Sequence, residues 1–168
     1  MSSYTLRTAS PAKTRADAVV VGVVQGAKGP ELASGADEVA KPWTDADVQK
    51  FAEISGDFNP AHFNDAYAAK TVFKGRIAHG FLTASVISAA VANKLPGPGA
   101  IYLDQRLSFK APVRPGDTVH ATVRVKEVMP ERGRVLLETT CTVKGVVVID
   151  GEALIKVGSI ARRQAGKS

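Results

Sequence analysis

Asp57-Phe58-Asn59-Pro60-Ala61-His62 sets a carboxylate and an imidazole five residues apart, with Pro60 restraining the backbone between them. Across a turn of that length both side chains can converge on one small volume. Carboxylate and imidazole are the side chains best suited to moving a proton near neutral pH, once burial or pairing adjusts their pKa values. The same residues also suit purely structural ends: Asp57 can cap a local turn, Asn59 can close an Asx-turn and His62 can be a hydrogen-bonding partner. A calcium loop is a third option, because Asp57 and Asn59 stand at its positions one and three. It fails on His62, which replaces the glycine at position six, and on the lack of a Glu at position twelve.

Elements that could position the pair are legible on both sides. Thr44 is a good N-cap with Asp47 at N3, and Trp43 and Val48 stand where a hydrophobic staple would. Val48, Phe51, Ala52 and Ser55 follow at helical spacing and Gly56 stops the helix, so Ser55 to Asp65 is a loop leaving a helix C-terminus. His79 to Leu95 is apolar on nearly every face, which predicts a helix buried all round, ended by Pro96 to Gly99. It is too short, and too polar at His79, Asn93 and Lys94, for a membrane span.

Beyond it the period changes from 3.6 to 2. Val119, Ala121, Val123 and Val125 alternate with Thr118, His120, Thr122 and Arg124, and Val135, Leu137, Thr139, Cys141 and Val143 alternate with polar neighbours. Four strands are expected from about Ile101 to Ile160, with turns at Pro115 to Asp117, Pro130 to Gly133 and Lys144-Gly145, and a bulge at Asp150-Gly151. Short connections favour antiparallel neighbours. The fold class is α+β: an antiparallel sheet wrapped around one long buried central helix.

The chain has 168 residues, enough for one domain with a core. Residues 1–30, rich in small polar residues with one strand-like stretch at Ala18 to Val24, read as a partly disordered extension; residues 31–160 read as the domain and 161–168 as a basic tail. The net charge of +6 comes from basic residues spread along the chain, which fits a solvated surface or a phosphate-bearing ligand better than nucleic acid. Cys141 is the only cysteine, so no internal disulfide or Cys/His zinc cluster is expected, and the cytoplasm is the expected compartment. No export signal, membrane association, metal or cofactor is expected.

Phe51, Ser55, Gly56, Asp57, Asn59, Pro60, His62 and Ala68 together resemble the hydratase signature of MaoC-like proteins, with Ala61 where that signature has an aliphatic residue. The resemblance continues through Ala78-His79-Gly80, Ser85 and Ser88, Leu107 to Val113 and Pro115-Gly116-Asp117, and covers roughly Glu31 to Val157. It implies a single hot-dog domain and (R)-specific hydration of trans-2-enoyl-CoA to (R)-3-hydroxyacyl-CoA, or the reverse dehydration. In that chemistry Asp57 and His62 hold one water, Asp57 takes its proton as the oxygen attacks C3, and His62 helps relay a proton to C2.

Negative charge then develops on the thioester oxygen. The Gly80 amide, at the N-terminus of the buried helix, is the candidate donor for it, although close helix packing would also call for a glycine there. Asn59 is a candidate for bracing the loop or hydrogen-bonding near the dyad and Ser88 for contacting the dyad from the helix, both beside the substrate; His79 is expected to pack or cap, and a homodimer with sheets joined edge to edge is expected. Two alternatives remain: a hot-dog acyl-CoA thioesterase and a non-catalytic acyl-CoA-binding subunit. The retained Asp57 and His62 with Asn59-Pro60 argue against both.

Overall fold

The period-two segments pair as one five-stranded sheet, and the apolar segment before them forms a helix lying on it. The computed structural model describes residues 23–26, 29–32 and 36–157. The strands are β1 (Val23–Gly26), β2 (Gly29–Leu32), β3 (Ala36–Pro42), β4 (Ile101–Phe109), β5 (Thr118–Met129), β6 (Arg134–Val143) and β7 (Val146–Lys156). The α-helices are α1 (Asp45–Ser55), α2 (Pro60–Phe63), α3 (Asp65–Ala68) and α4 (Gly80–Asn93). The main sheet runs β3-β5-β6-β7-β4, antiparallel throughout, and β1-β2 is a separate two-stranded hairpin.

The alternation predicted for β5 and β6 is the alternation observed. Val119, Ala121, Val123, Val125, Val135, Leu137, Thr139, Cys141 and Val143 are all buried, and α4 adds Leu82, Val86, Ile87, Ala90 and Val91 to the same core. Each fully buried aliphatic side chain contributes about 1.5–3 kcal/mol. The sheet therefore holds α4, and with it whatever stands at the N-terminus of α4, in one place. The β6–β7 turn needs positive φ at both central residues, Lys144 (50°) and Gly145 (80°), which suits a tight hairpin.

Helix α1 begins as expected. The Thr44 hydroxyl accepts from the Asp47 amide while the Asp47 carboxylate reaches back to the Thr44 amide, and the staple residues Trp43 and Val48 are buried.

Other expectations need correction. Helix α4 is not buried all round: Phe81, Ser85, Ser88 and Ala92 form an exposed stripe at helical spacing, because a single sheet covers one side only. Asp150 and Gly151 keep regular register with both neighbouring strands, and the irregularity in β7 lies nearer the turn, between its pairings at Ile149 and Val147. Gly151 has a different reason: a Cβ there would stand 1.9 Å from the Arg106 carbonyl oxygen. Strand β3 was not expected, since its charged residues and terminal proline hide an edge strand whose one partner among the described residues is β5. The described part of the last strand ends at Lys156, short of Ile160. Of the Ala18 to Val24 stretch only Val23 and Val24 lie within the described residues, where they pair in the β1-β2 hairpin. The basic tail at 161–168 lies outside the described residues. Among those described, no helix is long and apolar enough to cross a membrane.

Candidate active site

The segment between α1 and α4 is built by side chains bonding to backbone. Gly56 ends α1 in the left-handed region, at φ 78°, with its amide on the Ala52 carbonyl. The Ser55 hydroxyl accepts from the Asp57 amide at 3.2 Å, and Asp57 Oδ1 accepts from the Asn59 amide at 3.2 Å. Asn59 Oδ1 then caps α2 by accepting from the Ala61 amide at 3.0 Å, with Pro60 in the first turn where its missing N–H costs nothing. The purely structural reading of Asp57 and Asn59 thus holds, and it leaves Asp57 Oδ2 over.

That oxygen lies 3.8 Å from His62 Nε2, on an imidazole that is buried while Asp57 is half exposed. His62 Nδ1 lies 2.8 Å from the Ile77 carbonyl oxygen, which can only accept, so Nδ1 carries the proton. In the tautomer with the proton on Nδ1 alone, His62 turns the Nε2 lone pair toward a carboxylate oxygen. Two acceptors 3.8 Å apart make no direct bond, but both can accept from one donor molecule with two protons, which is what water is.

Ile77 is itself held. Its amide donates to the Ala61 carbonyl at 3.3 Å, and the next amide, of Ala78, donates to the Val113 carbonyl at 2.7 Å. Arg114 donates to the carbonyls of Arg76 and Phe73, and Arg76 pairs with Asp45 at 2.8 Å and Asp65 at 2.9 Å. These contacts fix the carbonyl that sets the tautomer of His62.

His79, immediately before α4, is buried and gives its α4 terminus no side-chain cap. Its Nε2 lies 2.9 Å from the Asp57 carbonyl oxygen and its ring centroid 3.7 Å from that of His62. Burial holds its pKa below the usual histidine value, and the neighbouring His62 adds to that, against the opposing effect of Asp57. Asp57, His62 and His79 bring ligand atoms within 4.8 Å of one another. The two rings are stacked on each other, tilted by 34° with centroids 3.7 Å apart. His79 Nε2 and His62 Nδ1 are taken by carbonyls. This donor set suits proton transfer better than metal coordination.

Gly80 is the first residue of α4, where helix amides lack intrahelical partners. A Cβ on it would meet the Phe109 ring at 2.8 Å, so the packing explanation for this glycine is real as well. Ser88 is on the exposed stripe of α4, about 12 Å along the helix axis from Gly80, away from the dyad of its own chain. The structure thus brings Asp57, His62 and Gly80 to one end of α4, uses Asn59 as a cap, and leaves Ser88 apart. The supports that sequence reasoning missed are the Ile77 carbonyl and the bond from His79 to the Asp57 carbonyl; the packing of His79 was expected. A carbonyl carries no residue-type signal; His79 had one, its position beside a helix-opening glycine.

With this geometry established, comparison with known proteins is informative. The MaoC like domain family matches residues 32–147. The chain is 57% identical to a Rhodospirillum rubrum (R)-specific enoyl-CoA hydratase over 119 residues, 71% of this chain and 83% of that protein. It is 52% identical to a Methylorubrum extorquens 3-hydroxybutyryl-CoA dehydratase over 76% of this chain and 82% of that one. The solved (R)-hydratase of A. caviae, involved in PHA biosynthesis, superposes with TM-score 0.72 at 40% identity, over 74% of this chain and 96% of that chain. The chain belongs to the MaoC-like family and has its hot-dog fold, a sheet wrapped around a central helix.

Proposed function

We propose that this protein is an (R)-specific enoyl-CoA hydratase, adding water to trans-2-enoyl-CoA to give (R)-3-hydroxyacyl-CoA and catalysing the reverse dehydration, in fatty-acid or polyhydroxyalkanoate metabolism. The observation that carries the reading is the facing pair of acceptors, Asp57 Oδ2 and His62 Nε2, 3.8 Å apart beside the N-terminus of α4. A water donating one proton to each presents an oxygen lone pair to C3. As the C–O bond forms, Asp57 takes the proton; His62 helps return one to C2 on the same face, so no proton is consumed overall. The Gly80 amide and the positive end of the α4 dipole stabilise the charge that develops on the thioester oxygen, lowering the barrier by about 3 kcal/mol. Asn59 braces the loop, and Ser88 meets substrate farther along α4. No cofactor or metal takes part.

The catalytic domain runs over 31–160, with residues 1–30 and 161–168 as appendages. The working form is a homodimer joined edge to edge, with the substrate site at the subunit boundary. The exposed stripe of α4 and the exposed apolar side chains of β4 support this, since the described residues of one chain leave both open. The cytoplasmic setting rests on the single cysteine, Cys141, and on the acyl-CoA substrate class. The test is incubation with crotonyl-CoA: loss of enoyl absorbance with no free thiol is expected, and thiol release would mean a thioesterase, whereas no change would mean a binding subunit.

A further inference from the structure

His79 is buried with one of its two ring nitrogens hydrogen-bonded, Nε2 to the Asp57 carbonyl. It gives no cap bond to the helix it precedes, it is only 2% exposed, and its Nδ1 has no hydrogen-bond partner among the described residues. Leaving a buried acceptor unpaired is unfavourable. Stability alone would be served as well by a residue without that atom. What the side chain does instead is directed at the dyad. Its Nε2 faces the Asp57 carbonyl, an acceptor only, so Nε2 carries the proton and Nδ1 the unused lone pair. Its ring packs against Phe51, with centroids 5.0 Å apart, and against His62, at 3.7 Å.

Asp57 is thereby fixed at three points: its amide on Ser55 Oγ, its Oδ1 under the Asn59 amide, and its carbonyl under His79. The first two contacts lie within the loop itself. Only the third ties Asp57 to α4, and so to the sheet.

We propose that His79 is a positioning residue of the dyad: its Nε2–H anchors the Asp57 backbone to the start of α4. This rests on the assignment of Asp57 and His62 as the acid–base pair and extends it to the side chain that anchors Asp57. Anchor and ring are separable, because Gln can supply an amide donor without a ring and Phe a ring without a donor. Being buried, the imidazole stays neutral near pH 7, so it orders the site without adding a cation beside His62.

The experiment compares His79→Phe and His79→Gln with Asp57→Asn in the full-length protein, reading kcat and KM on crotonyl-CoA. Misplacement on the order of 1 Å can cost about 100-fold in rate. His79→Phe is expected to lower kcat about 10- to 100-fold with KM within about twofold, and His79→Gln to recover most of that loss. In the wild type, nitrogen-15 spectra of the histidines at pH 7 should show His79 neutral and protonated at Nε2. That measurement decides the anchor even if His79→Phe does not fold. The proposal is overturned if folded His79→Phe keeps wild-type kcat, if folded His79→Gln falls as far as His79→Phe, or if His79 carries its proton on Nδ1. Those results with Asp57→Asn inactive would leave the dyad standing, whereas an active Asp57→Asn would remove the dyad and His79's role together.

Discussion

In the sheet, side chains meet side chains; in the segment from Ser55 to Gly80 they meet backbone. Leu137, Cys141, Val123 and Ile87 are buried in one core, whereas Ser55, Asp57, Asn59, His62 and His79 each bond to an amide or a carbonyl. The first arrangement removes apolar area from water and supplies stability. The second orients a few polar atoms and supplies chemistry. Stability and activity should therefore be separable by mutation, and variants can be ranked by how strongly they test that separation.

The largest effect is expected at the dyad. Asp57→Asn and His62→Gln should each lower kcat for crotonyl-CoA by about 10² to 10⁴-fold, the range for a lost general acid or base. Asp57 is half exposed, so thermal unfolding should barely move. Wild-type turnover in either variant would refute the assignment. The converse variant is Leu137→Ala, at a position fully buried in β6. It should cost about 2–5 kcal/mol, or roughly 5 to 15 °C in Tm, with kcat per folded molecule retained. A large fall in kcat without a fall in Tm would show that the sheet shapes the site directly.

The contrast also explains what was legible. Alternation at Val119 to Val125 and Val135 to Val143 needs only local spacing, so β5 and β6 could be read directly from residue types. Asp57 and His62 were legible because both stand in one short loop. The Ile77 carbonyl, 15 residues from His62, was not, nor was the 22-residue reach from His79 to Asp57, because backbone partners look alike in a sequence. The open stripe of α4 was misread for a related reason. An apolar segment reports that its faces are suited to burial, not which chain buries them.

That stripe and β4 break the rule that the sheet's side chains meet one another. Ile101, Leu103 and Phe109 are about half exposed on an edge strand whose only paired neighbour among the described residues is β7, and Phe81 of α4 meets Phe109 at 5.7 Å. In the proposed dimer this edge is covered. Sedimentation at micromolar concentration should give a dimer, and Leu103→Glu, which puts a charge on the apolar edge that the dimer would bury, should weaken it by about 2 kcal/mol or some 30-fold. Activity should fall in parallel. An active wild-type monomer would remove the dimer from the proposal.

The smallest effect is expected from removing residues 1–29, which takes away β1 and the first residue of β2. Strand β1 pairs with β2 in a sheet of two, separate from the five strands that hold α4. A two-stranded hairpin has little independent stability in water, so it adds little to the fold it is attached to. The dyad, its supports and the core all lie between Trp43 and Ile155, inside what remains. Truncated protein should therefore be soluble, with Tm within about 3 °C of the full chain, which corresponds to about 1 kcal/mol at this size, and with unchanged kcat. Insoluble protein, or a kcat loss as large as that expected for the dyad, would mean that the hairpin covers part of the core or the site and that the domain begins before residue 31.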